Sequence, residues 1–296
     1  MTPTRRRFLS ISAAAMVLPG AATAVTRTAR WSGVALGASA SVTLAGISPL
    51  DARPIFAGLE VELARLERIF SLYHPDSALV RLNQMGHLAA PPTELLDLLT
   101  LAGAVHDATD GAFDPTVQPL WQALAGGGDV TAARQCIGWE GLRMNVQEVR
   151  FERPGMALTL NGIAQGEITD RIAALLTRKG FDNILVDMGE IAARGQRDDG
   201  TAWQAGIATP QGDIVHRISL RDRALATSAP KGTSLTAGQG HILGPQGQEP
   251  RHSLVTLSAP KAALADGLST ALCLLDNKAG QRAVAHFPGV AIEHIA

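Results

Sequence analysis

Ala157-Leu158-Thr159-Leu160-Asn161 runs into Gly162-Ile163-Ala164-Gln165-Gly166, then into a helical pattern over residues 167–179, then into Asn183-Ile184-Leu185-Val186-Asp187-Met188. The first and last pieces are short apolar runs bounded by polar or turn residues and read as strands. In the middle, Ile168, Ile172, Leu175 and Leu176 fall on one helical face. Arg178 and Lys179 suit the negative end of that helix, and Gly180 stops it. The unit is therefore strand, glycine loop, helix, strand. Its loop delivers free backbone N–H groups at a helix N-terminus, which suits a phosphate but equally makes a tight turn. It is neither a Rossmann fingerprint nor a Walker loop.

Before this unit, residues 31–46 carry small and apolar residues in alternation, including Val34, Leu36, Val42 and Leu44, and read as a strand pair. Asp51 is the expected cap of a helix with Pro54 in its first turn. Phe56, Leu59, Leu63, Leu66 and Phe70 form its buried stripe. The polar turn Tyr73-His74-Pro75-Asp76-Ser77 follows, and a second helix runs from Pro91 to about Asp110. Residues 112–156 read as mixed, with short strands. After the central unit come short strands, then a strand over 253–257, a helix over 261–275, a short helix over 280–286 and a last strand over 290–295. Antiparallel strands interleaved with a few helices imply an α+β fold.

The N-terminus reads Thr4-Arg5-Arg6-Arg7-Phe8-Leu9-Ser10, an arginine pair ahead of an apolar stretch ending near Leu18. That stretch is shorter than the ~20 residues that span a bilayer. With Ala22-Thr23-Ala24 as a cleavage site, residues 1–24 are expected to be a twin-arginine export signal and residues 25–296 the functional domain, periplasmic after cleavage. Loss of three arginines and no acids takes the formal charge from −1 to −4. There is no basic run beyond Arg7, so nucleic acid is not an expected partner. Cys136 and Cys273 are expected to be separate thiols, and no zinc-type cluster is present.

Three further patterns bear on chemistry. Asp266 and Thr270 lie four apart on an otherwise Ala/Leu-rich helix, with Ser269 beside them. Carboxylate and hydroxyl on one face are hard oxygen ligands for Mg²⁺ or Ca²⁺, or else a polar helix edge. His241 lies in Gly240-His241-Ile242-Leu243-Gly244-Pro245, and Ser228 lies in Ala226-Thr227-Ser228-Ala229-Pro230 without the elbow of a serine hydrolase. Asp110-Gly111-Ala112-Phe113-Asp114-Pro115 is a turn with two acids.

The order of these motifs carries more than any one of them. Ser71, Tyr73, Pro75-Asp76-Ser77 and Arg81-Leu82-Asn83 come first, then Gly111-x-Phe113-Asp114-Pro115-Thr116-Val117. Leu160 to Gly166 with Asp170-Arg171 follow, then Val186-Asp187-Met188-Gly189, Ala226-Thr227-Ser228, His241-Ile242 with Pro245, and Ala265-Asp266-Gly267-Leu268-Ser269-Thr270-Ala271. Over essentially the whole chain after residue 24 this resembles the ApbE family of FAD:protein FMN transferases. Some wording resembles the NosX branch, tied to nitrous oxide reductase maturation.

The resemblance implies an ApbE-like, T-fold-related fold with a larger and a smaller subdomain and FAD between them. It implies Mg²⁺ held by the Ala164 carbonyl, Asp266 and Thr270. It implies FAD contacts from Ser71, Tyr73, Asn83, Asp114, Gly162, Ala164, Gln165, Glu167, Asp170, Met188, Gly189, Ser228, His241 and Ile242, with His241 as base or orienter. The implied acceptor is a flavoprotein, with a membrane-bound protein of nitrous oxide reduction as the expected partner. Gly244 stands where the family commonly has Asp, Gln165 where Lys is common, Glu167 where an aromatic is frequent and Gly267 where Ala is usual. Glu167 is expected to put a negative charge beside an anionic ligand. Two other functions remain open on these residues, a non-catalytic FAD- or metal-binding accessory protein and an FAD pyrophosphatase. Asp198-x-x-Thr201-Ala202-Trp203 misses the family's acceptor pattern at its last position, so the chain is not expected to flavinylate itself there.

Overall fold

A computed structural model describes residues 27–236 and 239–296; the export signal read at residues 1–24 lies outside them. Leu36-Gly37 turns β1 (Thr28–Ala35) back onto β2 (Ala38–Ala45), both residues at positive φ. Then come α1 (Pro49–Phe70), α2 (Ala78–Met85), β3 (His87–Ala89), α3 (Thr93–Ala108), a 3-10 turn at Pro115–Val117, α4 (Gln118–Gly126), α5 (Val130–Gln135), β4 (Leu142–Met144) and β5 (Glu148–Phe151). The second half runs α6 (Ala164–Arg178), β6 (Ile184–Asp187), β7 (Ile191–Arg194), β8 (Trp203–Ala208), β9 (Ile214–Leu220), β10 (Arg223–Ser228), β11 (Ser234–Thr236), β12 (Gln239–Gly240), β13 (Val255–Ala259), α7 (Ala262–Leu272), α8 (Asn277–Ala285) and β14 (Ala291–Ile295).

Seven strands form one antiparallel sheet in the order β1-β2-β6-β7-β10-β13-β14. Because successive side chains point to opposite faces, this sheet feeds two cores. Ile184, Val186, Ala192, Ala226 and Leu257 join the main core, to which the helices also contribute. Leu185, Ile191, Ala193 and Leu225 face the other way and pack on Trp203, Ala205 and Leu220 of the β8–β9 hairpin. A smaller sheet, β3-β5-β4, supplies Leu88, Leu142 and Val149 to the main core. The α+β expectation is met, and the smaller sheet forms one wall of the cleft described below.

Several boundaries differ from those expected. Residues 157–160, expected as a strand, pair with no strand, and Asn161 already belongs to the turn before α6. The Asn83 side chain replaces the missing neighbour: its Oδ1 accepts from Leu158 N–H at 2.7 Å and its Nδ2 donates to the Leu158 carbonyl at 2.8 Å. Thr159 N–H donates to the Pro115 carbonyl at 2.8 Å. The helix expected from residue 167 already starts at Ala164, whose N–H reaches the Leu160 carbonyl at 2.7 Å. Ser48, rather than Asp51, caps α1, accepting from Asp51 N–H at 3.2 Å; Pro49 occupies the first turn and Pro54 lies inside the helix. Ser-Pro supplies both a side-chain acceptor and a preset φ, a stronger start signal than Asp51 alone. The polar turn after α1 leads into a helix that the sequence reading left out, α2, capped by Ser77. Both cysteines are free, as expected.

The central feature is the crossing of α6 and α7. Helix α7 is buried nearly all round, including Asp266 and Ser269, so its polar residues are no exposed edge. At Gly166 a Cβ would stand 2.5 Å from the Ala262 carbonyl carbon and oxygen and 2.6 Å from Ala263 Cα. Those atoms are backbone of a packed helix and cannot step aside. Gly166→Ala should therefore destabilise the protein by roughly 1–3 kcal/mol or more, read as a lowered denaturation midpoint. An unchanged midpoint would mean that the two helices are free to separate.

Candidate functional site

Where α6, α7, the end of β10 and the 241–243 loop converge, they enclose a chamber of about 100 Å³. It shares the walls Trp121 and Asn161 with a cleft of about 1000 Å³ between the smaller sheet and the 154–161 segment. Of the residues expected to form the site, Asp114, Gly162, Gln165, Ser228, His241, Ile242, Asp266 and Thr270 line the chamber. Tyr73 and Asn83 line the cleft.

Long-range contacts bring these residues together. The Asp266 carboxylate on α7 accepts from Gly166 N–H in the first turn of α6 at 3.2 Å. Thr270, one turn further, presses against the loop, where a Cβ on Gly162 would stand 2.9 Å from its Oγ1. Ser228 Oγ lies 2.7 Å from Ser269 Oγ and 3.3 Å from Thr270 Oγ1. Asp114 caps the 3-10 turn, accepting from Thr116 N–H at 2.8 Å and from its hydroxyl at 2.6 Å.

Charge in the chamber is one-sided. Burial pushes Asp266 up to about 7, raises Asp114, and holds Glu190 well above the usual carboxylate range, with Asp266 adding to the effect on Glu190. Glu190 is buried and accepts from Thr227 N–H at 3.2 Å. No lysine or arginine is among the described lining residues. Buried carboxyls without a cationic side chain call either for protons or for a bound cation. The described residues contain no cluster of three or more His, Cys, Asp or Glu able to hold a metal. The donors that fit are hard oxygens of mixed type, the Asp266 carboxylate and the Thr270 hydroxyl.

His241 is neutral near pH 7 because burial holds its pKa below the ordinary value. Its Nδ1 lies 3.3 Å from the Thr233 carbonyl, which can only accept. The proton is therefore on Nδ1, and Nε2 carries the lone pair. The loop carrying His241 is closed by Gln248. A Cβ on Gly244 would meet the Gln248 backbone oxygen at 2.3 Å and its Oε1 at 2.5 Å, and that Oε1 accepts from Gln246 N–H at 2.9 Å. An aspartate at 244 would accept from the N–H two residues on in an Asx-turn; Gln248 makes that bond from the other side.

Six expected contacts lie outside both cavities. Ser71 ends α1, its hydroxyl accepting from Tyr73 and His74 N–H at 3.0 and 3.2 Å. Ala164, the first residue of α6, has only its backbone to offer. Glu167 turns away to Arg171 at 2.6 Å, and Arg171 also holds Asp97, so the charge expected beside the ligand is neutralised elsewhere. Asp170 is spent on the N-terminus of α7, accepting from Ala262 and Ala263 N–H at 2.9 and 3.1 Å. Met188 is fully buried in the main core. Gly189, at φ 103°, is covered by Gln165, whose Nε2 stands 2.5 Å from where a Cβ would be.

The expected list omitted Glu190, Thr227, Trp121 and Asn161. A lone acid at the start of the apolar run Ile191-Ala192-Ala193 was the available signal for Glu190, and Asn161 stood inside the loop motif. Trp121 had none, since it reaches the site only through the packing of α4.

Asp170 also sets a pH dependence. Burial against α7 pushes its pKa up to about 6 despite the two N–H groups. Its folded pKa thus exceeds the unfolded value of about 3.9. Its contribution is fully present below about pH 4 and is lost as pH rises through 6. The stability difference between the wild type and Asp170→Asn should shrink over that window, as measured by urea unfolding from pH 4 to 7. A difference that does not vary with pH would refute the assignment.

Comparison with known proteins adds to this geometry. The profile of the ApbE family matches residues 36–292. The FAD:protein FMN transferase of Salmonella typhimurium is 27% identical over 279 residues, covering 85% of this chain and 80% of that protein. The FAD:protein FMN transferase of Vibrio cholerae is 29% identical over 251 residues, covering 75% of each. Among solved structures, the flavin transferase ApbE from Vibrio cholerae superposes with a TM-score of 0.79 at 27% identity, covering 90% of this chain and 93% of that one. The apo form of the flavinyl transferase ApbE from Pseudomonas stutzeri gives 0.75 at 26% identity, covering 88% of each.

Proposed function

The chain belongs to the ApbE family, and from that premise we propose that it transfers the FMN moiety of FAD to a threonine or serine hydroxyl of a partner flavoprotein, releasing AMP. The observation that carries this reading is the cation-deficient chamber built on Asp266 and Thr270, next to a cleft spacious enough for a dinucleotide. Asp266 and Thr270 are the side chains that would hold Mg²⁺; the Ala164 carbonyl, the third ligand the resemblance implies, begins α6 and does not line the chamber. A divalent ion there would neutralise charge on the diphosphate and on the departing AMP.

The remaining chemistry belongs to the chain. A protein hydroxyl is a weak nucleophile near neutral pH and needs a base or close positioning. Neutral His241, with its Nε2 lone pair available, accepts the proton as the hydroxyl oxygen bonds to the FMN-side phosphorus. The bond from that phosphorus to the bridging oxygen breaks, and AMP leaves with the electron pair. Ser228 and Gln165 line the path of the diphosphate, and Tyr73 and Asn83 border the cleft that takes an end of the dinucleotide. Gln248 and Arg171 offset two of the departures from the family pattern, at Gly244 and Glu167, and this supports turnover over passive flavin binding.

The test is incubation of the full chain with FAD, Mg²⁺ and an acceptor domain, followed by intact mass of the acceptor and measurement of AMP. A gain of one FMN per acceptor is expected, with loss of activity on chelation. Asp266→Ala should lower the rate by on the order of 100-fold or more. FAD binding without AMP release would favour an accessory flavin binder, and FMN release without acceptor would favour a pyrophosphatase.

The twin-arginine pattern supports export, and the motif wording supports a membrane-bound acceptor in nitrous oxide reduction. Replacing Arg5 and Arg6 by Lys should leave the protein in the cytoplasm, read by fractionation. Unaltered appearance in the periplasm would remove the twin-arginine assignment.

A further inference from the structure

Behind the two chamber-lining oxygens of Ser228 and Thr270 lies a third hydroxyl, on Ser269, which lines neither cavity and is fully buried. Its Oγ lies 3.0 Å from the Asp266 backbone carbonyl. A carbonyl only accepts, so Ser269 donates, and its single hydrogen is committed. Ser228 Oγ, 2.7 Å away, must then donate to Ser269 Oγ. With the Ser228 hydrogen also committed, the 3.3 Å contact to Thr270 has one remaining sense: the Thr270 hydroxyl donates to Ser228. The chain therefore runs Thr270 to Ser228 to Ser269 to the Asp266 carbonyl. Every hydrogen along it points away from the chamber, and the lone pairs of Thr270 Oγ1 remain to face it.

We propose that Ser269 is a positioning residue, whose hydrogen bond to its own helix sets the direction of this relay and so presents Thr270 as an oxygen donor to a divalent cation. The inference rests on the reading of Asp266 and Thr270 as cation ligands and adds what holds the second of them in its ligating state. A hydroxyl free to turn would spend part of its time offering a hydrogen to the cation, which is repulsive. Partners that orient a ligand in this way are worth about 10–100-fold in metal affinity. The geometry is held by the backbone on both sides. The Cys273 thiol donates to the Ser228 carbonyl at 3.7 Å, anchoring the end of β10 to α7. Gly162 lets the loop close onto Thr270.

Without Ser269 the relay loses its fixed end. The Ser228 hydrogen becomes free to turn toward Thr270, and the Thr270 hydrogen is then displaced into the chamber. The test titrates Mn²⁺ into the full chain and follows the free-ion electron paramagnetic resonance signal, for the wild type and for Ser269→Ala, Ser269→Cys and Asp266→Asn. The expected order of affinity is wild type, then Ser269→Cys with its weaker donor, then Ser269→Ala, at least about 10-fold below the wild type. FAD affinity measured without metal, which a general loosening of the site would lower, should stay within about twofold. In the transfer assay, the Mg²⁺ concentration for half-maximal rate should rise by the same factor as Mn²⁺ affinity falls. If Ser269→Ala does not fold, the Ser269→Cys comparison carries the test. Mn²⁺ affinity of the folded Ser269 variant equal to the wild type would overturn the relay while leaving the cation site intact. Failure of the wild type to bind Mn²⁺, or undiminished binding by Asp266→Asn, would overturn the cation reading itself and the proposal with it.

Discussion

The hydrogen bond from Gly166 N–H to the Asp266 carboxylate ties the start of α6 to the middle of α7. Both partners are buried, and the chamber is built around their meeting. The bond can form only because Gly166 has no side chain where α6 crosses the backbone at Ala262 and Ala263. A second tie crosses the same junction, from Asp170 on α6 to the two free N–H groups at the head of α7. The two helices thus satisfy each other's buried polar groups, and the glycine loop at 162–166 is pinned against Thr270.

From that junction follow the electrostatics of the site. Asp266 and Glu190 share a space whose described lining includes no lysine or arginine. Neither can ionise at ordinary cost there, and burial raises both. Such an arrangement is poor as a stabilising device and serviceable as a receptor for positive charge. Charge that would oppose an anionic substrate is led elsewhere: Glu167 is held by Arg171 on the outer side of α6. Where a side chain at 244 is absent, Gln248 reaches back to bond Gln246. The loop carrying His241 therefore keeps its turn by a different residue, and two apparent departures from the family pattern have local structural counterparts.

The secondary-structure outline was largely legible in the residues. The stripe from Leu59 to Phe70, the apolar face of 168–176 and the alternation over β1 and β2 follow from backbone geometry, which repeats at 3.6 or 2 residues whatever the surroundings. The four-residue spacing put Asp266 and Thr270 on one helical face in the same way. Errors came where local signals competed or were weak, as at Ser48 against Asp51 and at α2, whose short length left little periodicity.

What the sequence determined by itself, then, is which elements form and which side chains share a helical face, because those depend on neighbours within a turn or two of the chain. Tertiary structure alone assigned partners to polar groups. It committed Asp170 to a helix end 92 residues away and the Asn83 amide to a segment 75 residues away, in place of a strand neighbour. It also brought Glu190 and Trp121 to the chamber and gave the hydroxyls of Thr270, Ser228 and Ser269 a direction. A buried donor or acceptor takes whichever partner the packing brings within about 3 Å, and that approach is set by glycines and helix crossings that no local pattern encodes.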